Sequence, residues 1–113
     1  MRETETQKRI MVAASERGMT IFRNNVGVAV YPDGSRVAYG LCPGSSDLIG
    51  WTPRKIRKED VGKTIAQFTA IEVKRLREKP KKHQKHFIDQ VNSSGGCAFV
   101  ARSKEDLEKG QKW

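Results

Sequence analysis

Thr64-Ile-Ala-Gln-Phe-Thr-Ala-Ile-Glu-Val-Lys74 carries Ile65, Phe68, Ala70, Ile71 and Val73 in the near-alternation of a central β-strand over 64–74. On a strand, residues two apart leave the same face. Glu72 and Lys74 therefore set a carboxylate beside an ammonium, while Val73 between them is expected to point the other way, into packing. Taken alone, a Glu-x-Lys pair on a strand is most often a solvated face.

Downstream, the segment 74–85 is the most basic part of the chain, and Pro80 marks a boundary before a helix over 81–93 with Phe87, Ile88 and Val91 on its apolar face. Gly95-Gly96 stops that helix, and 97–101 reads as a last apolar strand. Ser103 is placed to cap a final helix with Glu105 and Asp106 in its first turn. Upstream, 3–18 has near-helical spacing of Ile10, Val12, Ala13 and Met19, with Gly18 as its stop, and 19–25 is a strand ending in polar residues. Residues 26–31 and 36–41 flank Pro32-Asp-Gly-Ser35 as a β-hairpin. The small-residue loop 42–46 then leads into a short apolar strand, 47–51, and the charged, aperiodic 52–63 is an exposed connection. Strands and helices in this order predict an α/β fold with a mixed central sheet flanked by helices.

The chain has 113 residues, the size of a single domain, so 1–113 is expected to form one core with one site. Its 22 Lys and Arg against 13 Asp and Glu give a formal charge of +9, which attracts polyanions, and nucleic acid leads that class. No apolar run is long enough for a transmembrane helix and no signal-peptide pattern opens the chain, so it reads as cytoplasmic. Cys42 and Cys97 lack the spacing of a zinc site or a disulfide framework.

Asp47 gives the Glu-x-Lys pair its interest. It follows Gly44-Ser45-Ser46, where small residues let a nucleic-acid backbone come close. If its strand pairs with 64–74, Asp47 and Glu72 converge, and their oxygens, with the Val73 carbonyl and water, suit Mg²⁺. Phosphodiester hydrolysis needs an activated water and charge neutralisation on phosphate, and Lys74 beside a metal supplies both kinds of help. Glu5 on the first helix is the candidate third carboxylate, with Glu3 its competitor on a different helical face. Gln84, near the start of the second helix, offers an amide to phosphate or to the attacking water. His83 and His86 lack a third ligand of similar spacing and read as part of a DNA-facing basic helix.

These residues resemble the VRR-NUC nucleases of the PD-(D/E)XK superfamily. The likeness rests on Glu5-Thr-Gln7, Arg23-Asn-Asn25, Gly44-Ser-Ser-Asp47, Ile71-Glu-Val-Lys74, Gln84, and Gly95-Gly96 before Ala98-Phe-Val-Ala-Arg102. Ser46 stands where the superfamily's motif has proline. The resemblance implies a restriction-endonuclease-like αβββαβ core carrying an inserted β-hairpin. It implies Asp47 and Glu72 as metal ligands, Glu5 as the helix-one acid toward the metal, Lys74 as the catalytic lysine and Gln84 as an auxiliary residue, with the Val73 carbonyl as the further metal ligand that the oxygen-donor chemistry offers. Arg23, Asn25, Ser45, Ser46, Arg75, Arg77, Lys81, Lys82 and Lys85 are the expected DNA contacts. Bare domains of this kind resemble phage or bacterial recombination and repair enzymes, which implies branched DNA such as a Holliday junction, Mg²⁺ with Mn²⁺ as a substitute, and a homodimer with the hairpin as its arm. Two alternatives stay open: a non-catalytic basic DNA-binding module, and a nuclease of flap or linear duplex DNA.

Overall fold

A computed structural model describes residues 3–110. The chain divides into two compact units, residues 1–54 and 55–113.

The first unit opens with α1 (Glu3–Glu16). Gly18 ends it as expected, taking a φ of +77° while the amides of Gly18 and Met19 return to the carbonyls of Ser15 and Ala14, each at 3.0 Å. Strand β1 (Thr20–Arg23) pairs antiparallel with the later β4 (Leu48–Trp51), Thr20 facing Trp51 and Arg23 facing Leu48. The rings of Phe22 and Trp51 meet at 5.5 Å on this ladder. Between these strands, β2 (Gly27–Val30) and β3 (Arg36–Tyr39) form the expected hairpin. Its turn closes through Gly34 N–H to Tyr31 C=O and Tyr31 N–H to Ser35 C=O, both 2.9 Å, with Gly34 at φ +86°. The Ser35 hydroxyl and amide both donate to Asp33 Oδ1, at 2.6 and 2.9 Å, and hold that carboxyl below its ordinary value.

In the second unit the connection expected to be irregular contains a 3-10 turn, Lys58–Asp60. Asp60 pins it by accepting the Arg57 amide at 2.9 Å and meeting Lys63 Nζ at 3.5 Å. Strands β5 (Thr69–Val73) and β6 (Cys97–Ala101) then pair in parallel, Thr69 beside Cys97 and Val73 beside Ala101. Parallel neighbours need a crossover, which α2 (Lys82–Ser93) supplies. Val91 of α2, 1% exposed, is the most deeply buried side chain described, and Ala98 and Ala101 of β6 are buried with it. Gly95-Gly96 ends α2 as expected, and Gly96 serves packing as well: a Cβ there would lie 2.6 Å from Val91 Cγ1. Asn92 secures the outer edge of β6, donating to Ala98 C=O at 2.9 Å and accepting Ala98 N–H at 2.8 Å.

Several expectations need correction. The architecture is mixed α/β with short sheets and helices, but pairing among the described residues gives three two-stranded ladders, β1–β4, β2–β3 and β5–β6, in place of one continuous sheet. Each ladder closes within its own unit. The strand expected over 64–74 is confined to Thr69–Val73, where β6 offers partners. Val73 does not point into packing: it is 76% exposed, because α2 covers the other face of β5, that of Ala70 and Glu72. Ser103 does not cap the last helix, α3 (Asp106–Gly110). Instead the Asp106 carboxylate reaches back and accepts the Arg102 amide at 2.7 Å.

Replacing Asn92 by Ala is expected to leave both backbone groups of Ala98 without their partner and to lower unfolding stability by about 1–3 kcal/mol. Urea denaturation of the wild type and of Asn92→Ala checks this.

Candidate active site

The alternation of β5 places Glu72 and Lys74 on one face, and the structure brings their charges together: Lys74 Nζ lies 3.5 Å from Glu72 Oε1. The Lys74 side chain is only 8% exposed, whereas the Glu72 carboxylate is part-exposed at the mouth of a cleft. An ammonium so enclosed depends on its counter-charge. The cleft, about 450 Å³, is lined by Ala70, Ile71, Glu72, His83, Gln84, Phe87 and Ile88. It forms because the apolar residues of α2 pack along β5 while its first turn carries polar groups to the rim.

Ladder geometry decides where the backbone oxygens of β5 point. Phe68 C=O accepts the Cys97 amide at 2.8 Å, and the Lys74 amide donates to Ala101 C=O at 3.1 Å. Alternate residues of a parallel strand bond to the same neighbour, so Val73 presents its carbonyl at the opposite edge, away from β6. That oxygen lies on the backbone between Glu72 and Lys74.

Gln84 has a double role. Its Oε1 accepts the Lys81 amide at 2.8 Å, tying down the first turn of α2. One lone pair of the amide oxygen is thereby used, and the –NH₂ group of this cleft-lining residue remains a donor. His83 lines the same cleft, whereas His86 is exposed on α2 without a place in it. Arg75, Arg77, Lys81, Lys82 and Lys85 are all exposed.

In the first unit Asp47 is exposed at the start of β4, and its carbonyl accepts the Asn24 amide at 2.8 Å. Asn24 is the residue that sequence reasoning missed. Its Nδ2 donates to Ser45 Oγ at 2.7 Å and to Ser46 C=O at 2.9 Å, and its Oδ1 accepts the Leu41 amide at 2.9 Å. One half-buried side chain thus holds both ends of the loop before Asp47. The likeness takes in Asn24 only as the middle of Arg23-Asn-Asn25, with Arg23 and Asn25 as the expected contacts, but only Asn24 faces inward, and the sequence does not say which asparagine the step from β1 into the hairpin turns that way. The Ser45 hydroxyl donates to Cys42 C=O at 2.7 Å, making Ser45 a clamp of the loop, whereas Ser46 is exposed. Glu5 is exposed in the first turn of α1, and the Glu3 side chain lies outside the described residues. Among the described residues no three His, Cys, Asp or Glu side chains gather as a metal cluster. No helix among them is long and apolar enough to cross a membrane.

A strand-borne carboxylate and lysine thus lie beside a cleft with an amide donor, on a chain whose formal charge is +9. A family model described as the VRR-NUC domain matches residues 34–105, more than half of the chain. The chain belongs to this family, and the domain is a nuclease domain acting on DNA. No curated protein and no solved structure matches the chain.

The two roles of Gln84 are separable. Gln84→Glu keeps an oxygen for the Lys81 amide, so stability is expected to hold, but it removes the donor and should reduce nuclease turnover about tenfold to a hundredfold. Gln84→Ala should also lose about 1 kcal/mol of stability. Turnover and thermal unfolding measured on both variants distinguish the roles.

Proposed function

We propose that this nuclease domain is a Mg²⁺-dependent, structure-selective endonuclease that cuts branched DNA of the Holliday-junction kind as a homodimer inside a bacterial or phage-infected cell. The observation that carries the reading is the pairing of Glu72 with the enclosed ammonium of Lys74 beside the Gln84 cleft. In this reading residues 1–113 work as one restriction-endonuclease-like domain, with Asp47 and Glu72 as its metal-binding carboxylates.

The donors suit such an ion. Glu72 is part-exposed, the Val73 carbonyl is turned away from β6, and Asp47 is exposed at the end of the loop that Asn24 holds. All are hard oxygen donors, and a small set of them fits Mg²⁺, or Mn²⁺ in its place, because these ions retain several waters. Glu5 is the further carboxylate proposed, directly or through water. When bound, the ion supplies Lewis-acid charge to the scissile phosphate.

The chain's own residues account for the remainder. Hydrolysis adds water to phosphorus and breaks one phosphorus–oxygen bond, leaving a phosphate monoester on one fragment and a hydroxyl on the other. Lys74 places a positive charge where the phosphate becomes more negative, and its burial keeps that charge from being screened. Gln84 donates to a phosphate oxygen or orients the attacking water. Arg23, Asn25, Ser46 and the exposed basic residues from Arg75 to Lys85 hold the flanking backbone, consistent with the net charge of +9.

Two symmetric cuts in a four-way junction call for two sites related by a two-fold axis, which a homodimer provides. The β2–β3 hairpin supports this arm of the proposal, since Val28, Val30, Val37 and Tyr39 all expose apolar surface.

Purified protein with Mg²⁺ is expected to cleave a four-way junction, and no cleavage should occur when the metal is chelated. Asp47→Asn and Lys74→Ala should each lower the cleavage rate by at least about a hundredfold, with circular dichroism unchanged. Cutting at the wild-type rate by either variant would remove that residue from the site.

A further inference from the structure

The residues immediately after Lys74 form a tight turn whose construction the nuclease chemistry does not explain. Arg75 to Glu78 closes through Glu78 N–H to Arg75 C=O at 3.0 Å. Arg77 sits at a φ of +70°, the only non-glycine residue described with positive φ. A turn with positive φ at its third position is ordinarily built with glycine there. The six glycines described with positive φ show that the chain uses glycine freely where only backbone shape is needed.

This turn is also locked in place. Glu78 Oε1 accepts the Arg75 amide at 3.0 Å, Arg102 Nη2 donates to Glu78 C=O at 2.7 Å, and the Lys74 amide is bonded to Ala101. Glu78, the one acid in the segment, thereby turns its charge onto the backbone. At the tip stands Leu76, 78% exposed, with the exposed cations Arg75 and Arg77 on either side and Lys79 just beyond. A rigid, cationic turn with an apolar apex fits a polyanion that also shows apolar surface. Continuous duplex DNA hides its base faces by stacking, whereas DNA at a branch point exposes or readily unstacks them.

We infer that the 75–78 turn is a wedge for branched DNA: Leu76 packs on the base pair at the branch, and Arg75 and Arg77 hold the phosphates beside it. The inference rests on the reading of this domain as a nuclease of branched DNA and supplies the element that selects that shape. The strained backbone at Arg77 then has a use, because glycine would relax the turn but remove one of its cations.

The test is a binding measurement on the full chain with metal chelated, so that no cutting occurs. The probes are a four-way junction carrying 2-aminopurine beside the branch and a linear duplex of the same length. Wild-type protein is expected to bind the junction more tightly and to raise 2-aminopurine fluorescence by unstacking it. Leu76→Ser should lose about tenfold in junction affinity, abolish the fluorescence rise and leave linear-duplex affinity within about twofold. Leu76→Trp should retain both junction signals, which guards against a misfolded serine variant. Arg77→Gln should weaken both substrates alike. The wedge is overturned if Leu76→Ser keeps the fluorescence rise, or if it weakens junction and linear duplex equally. A wild-type protein that binds and unstacks the junction yet fails to cut it with Mg²⁺ would instead overturn the proposed Mg²⁺-dependent junction endonuclease and leave the wedge standing.

Discussion

Parallel pairing of β5 with β6 is the constraint from which the site follows. Two parallel strands that are neighbours in the chain cannot be joined by a tight turn, so the chain has to leave the end of β5, cross over as α2 and return. The crossover lays α2 on the face of β5 that carries Ala70, Glu72 and Lys74. Val91 anchors the far end of the helix, Gly96 lets the chain pass beneath it, and Asn92 secures the outer edge of β6. The cleft beside Glu72 is what this packing leaves where the apolar stripe of α2 gives way to its polar first turn.

Placing a lysine in so enclosed a position is unfavourable unless the charge has a partner. Glu72 provides one at 3.5 Å, and its own part-exposure leaves oxygen capacity for other ligands. In the function proposed, loss of solvation and the role toward phosphate come from the same burial. An ammonium in water is screened, while one held against a strand acts at closer to full strength.

Polar side chains that satisfy backbone groups perform the positioning in both units. Asn24 holds the loop before Asp47, Gln84 holds the first turn of α2, and Glu78 holds the turn after Lys74. Each is partly or wholly accessible, so these are modest contributors to stability. Their importance is geometric, since each fixes a segment next to a residue assigned to DNA or to phosphate. The positive surface that attracts DNA is, by contrast, spread along exposed lysines and arginines that need no fixed conformation.

Much of this was legible without coordinates. The helix stops at Gly18 and Gly95-Gly96 and the hairpin turn at Pro32-Asp-Gly34 follow from backbone preferences that act over a few residues. The proximity of Glu72 to Lys74 follows from strand alternation alone, and the attraction to nucleic acid from summed charge. Which face of β5 is covered was not legible, because alternation distinguishes two faces without saying which one a helix will cover, and Val73 proved to be on the open side. Nor could sequence say that Asn24 rather than Asn25 grips the loop, that Asp106 reaches back to the Arg102 amide, or that Arg77 takes a left-handed conformation. Local rules determine what a residue can do; its partners come from distant segments, and only the folded chain decides which of them arrive.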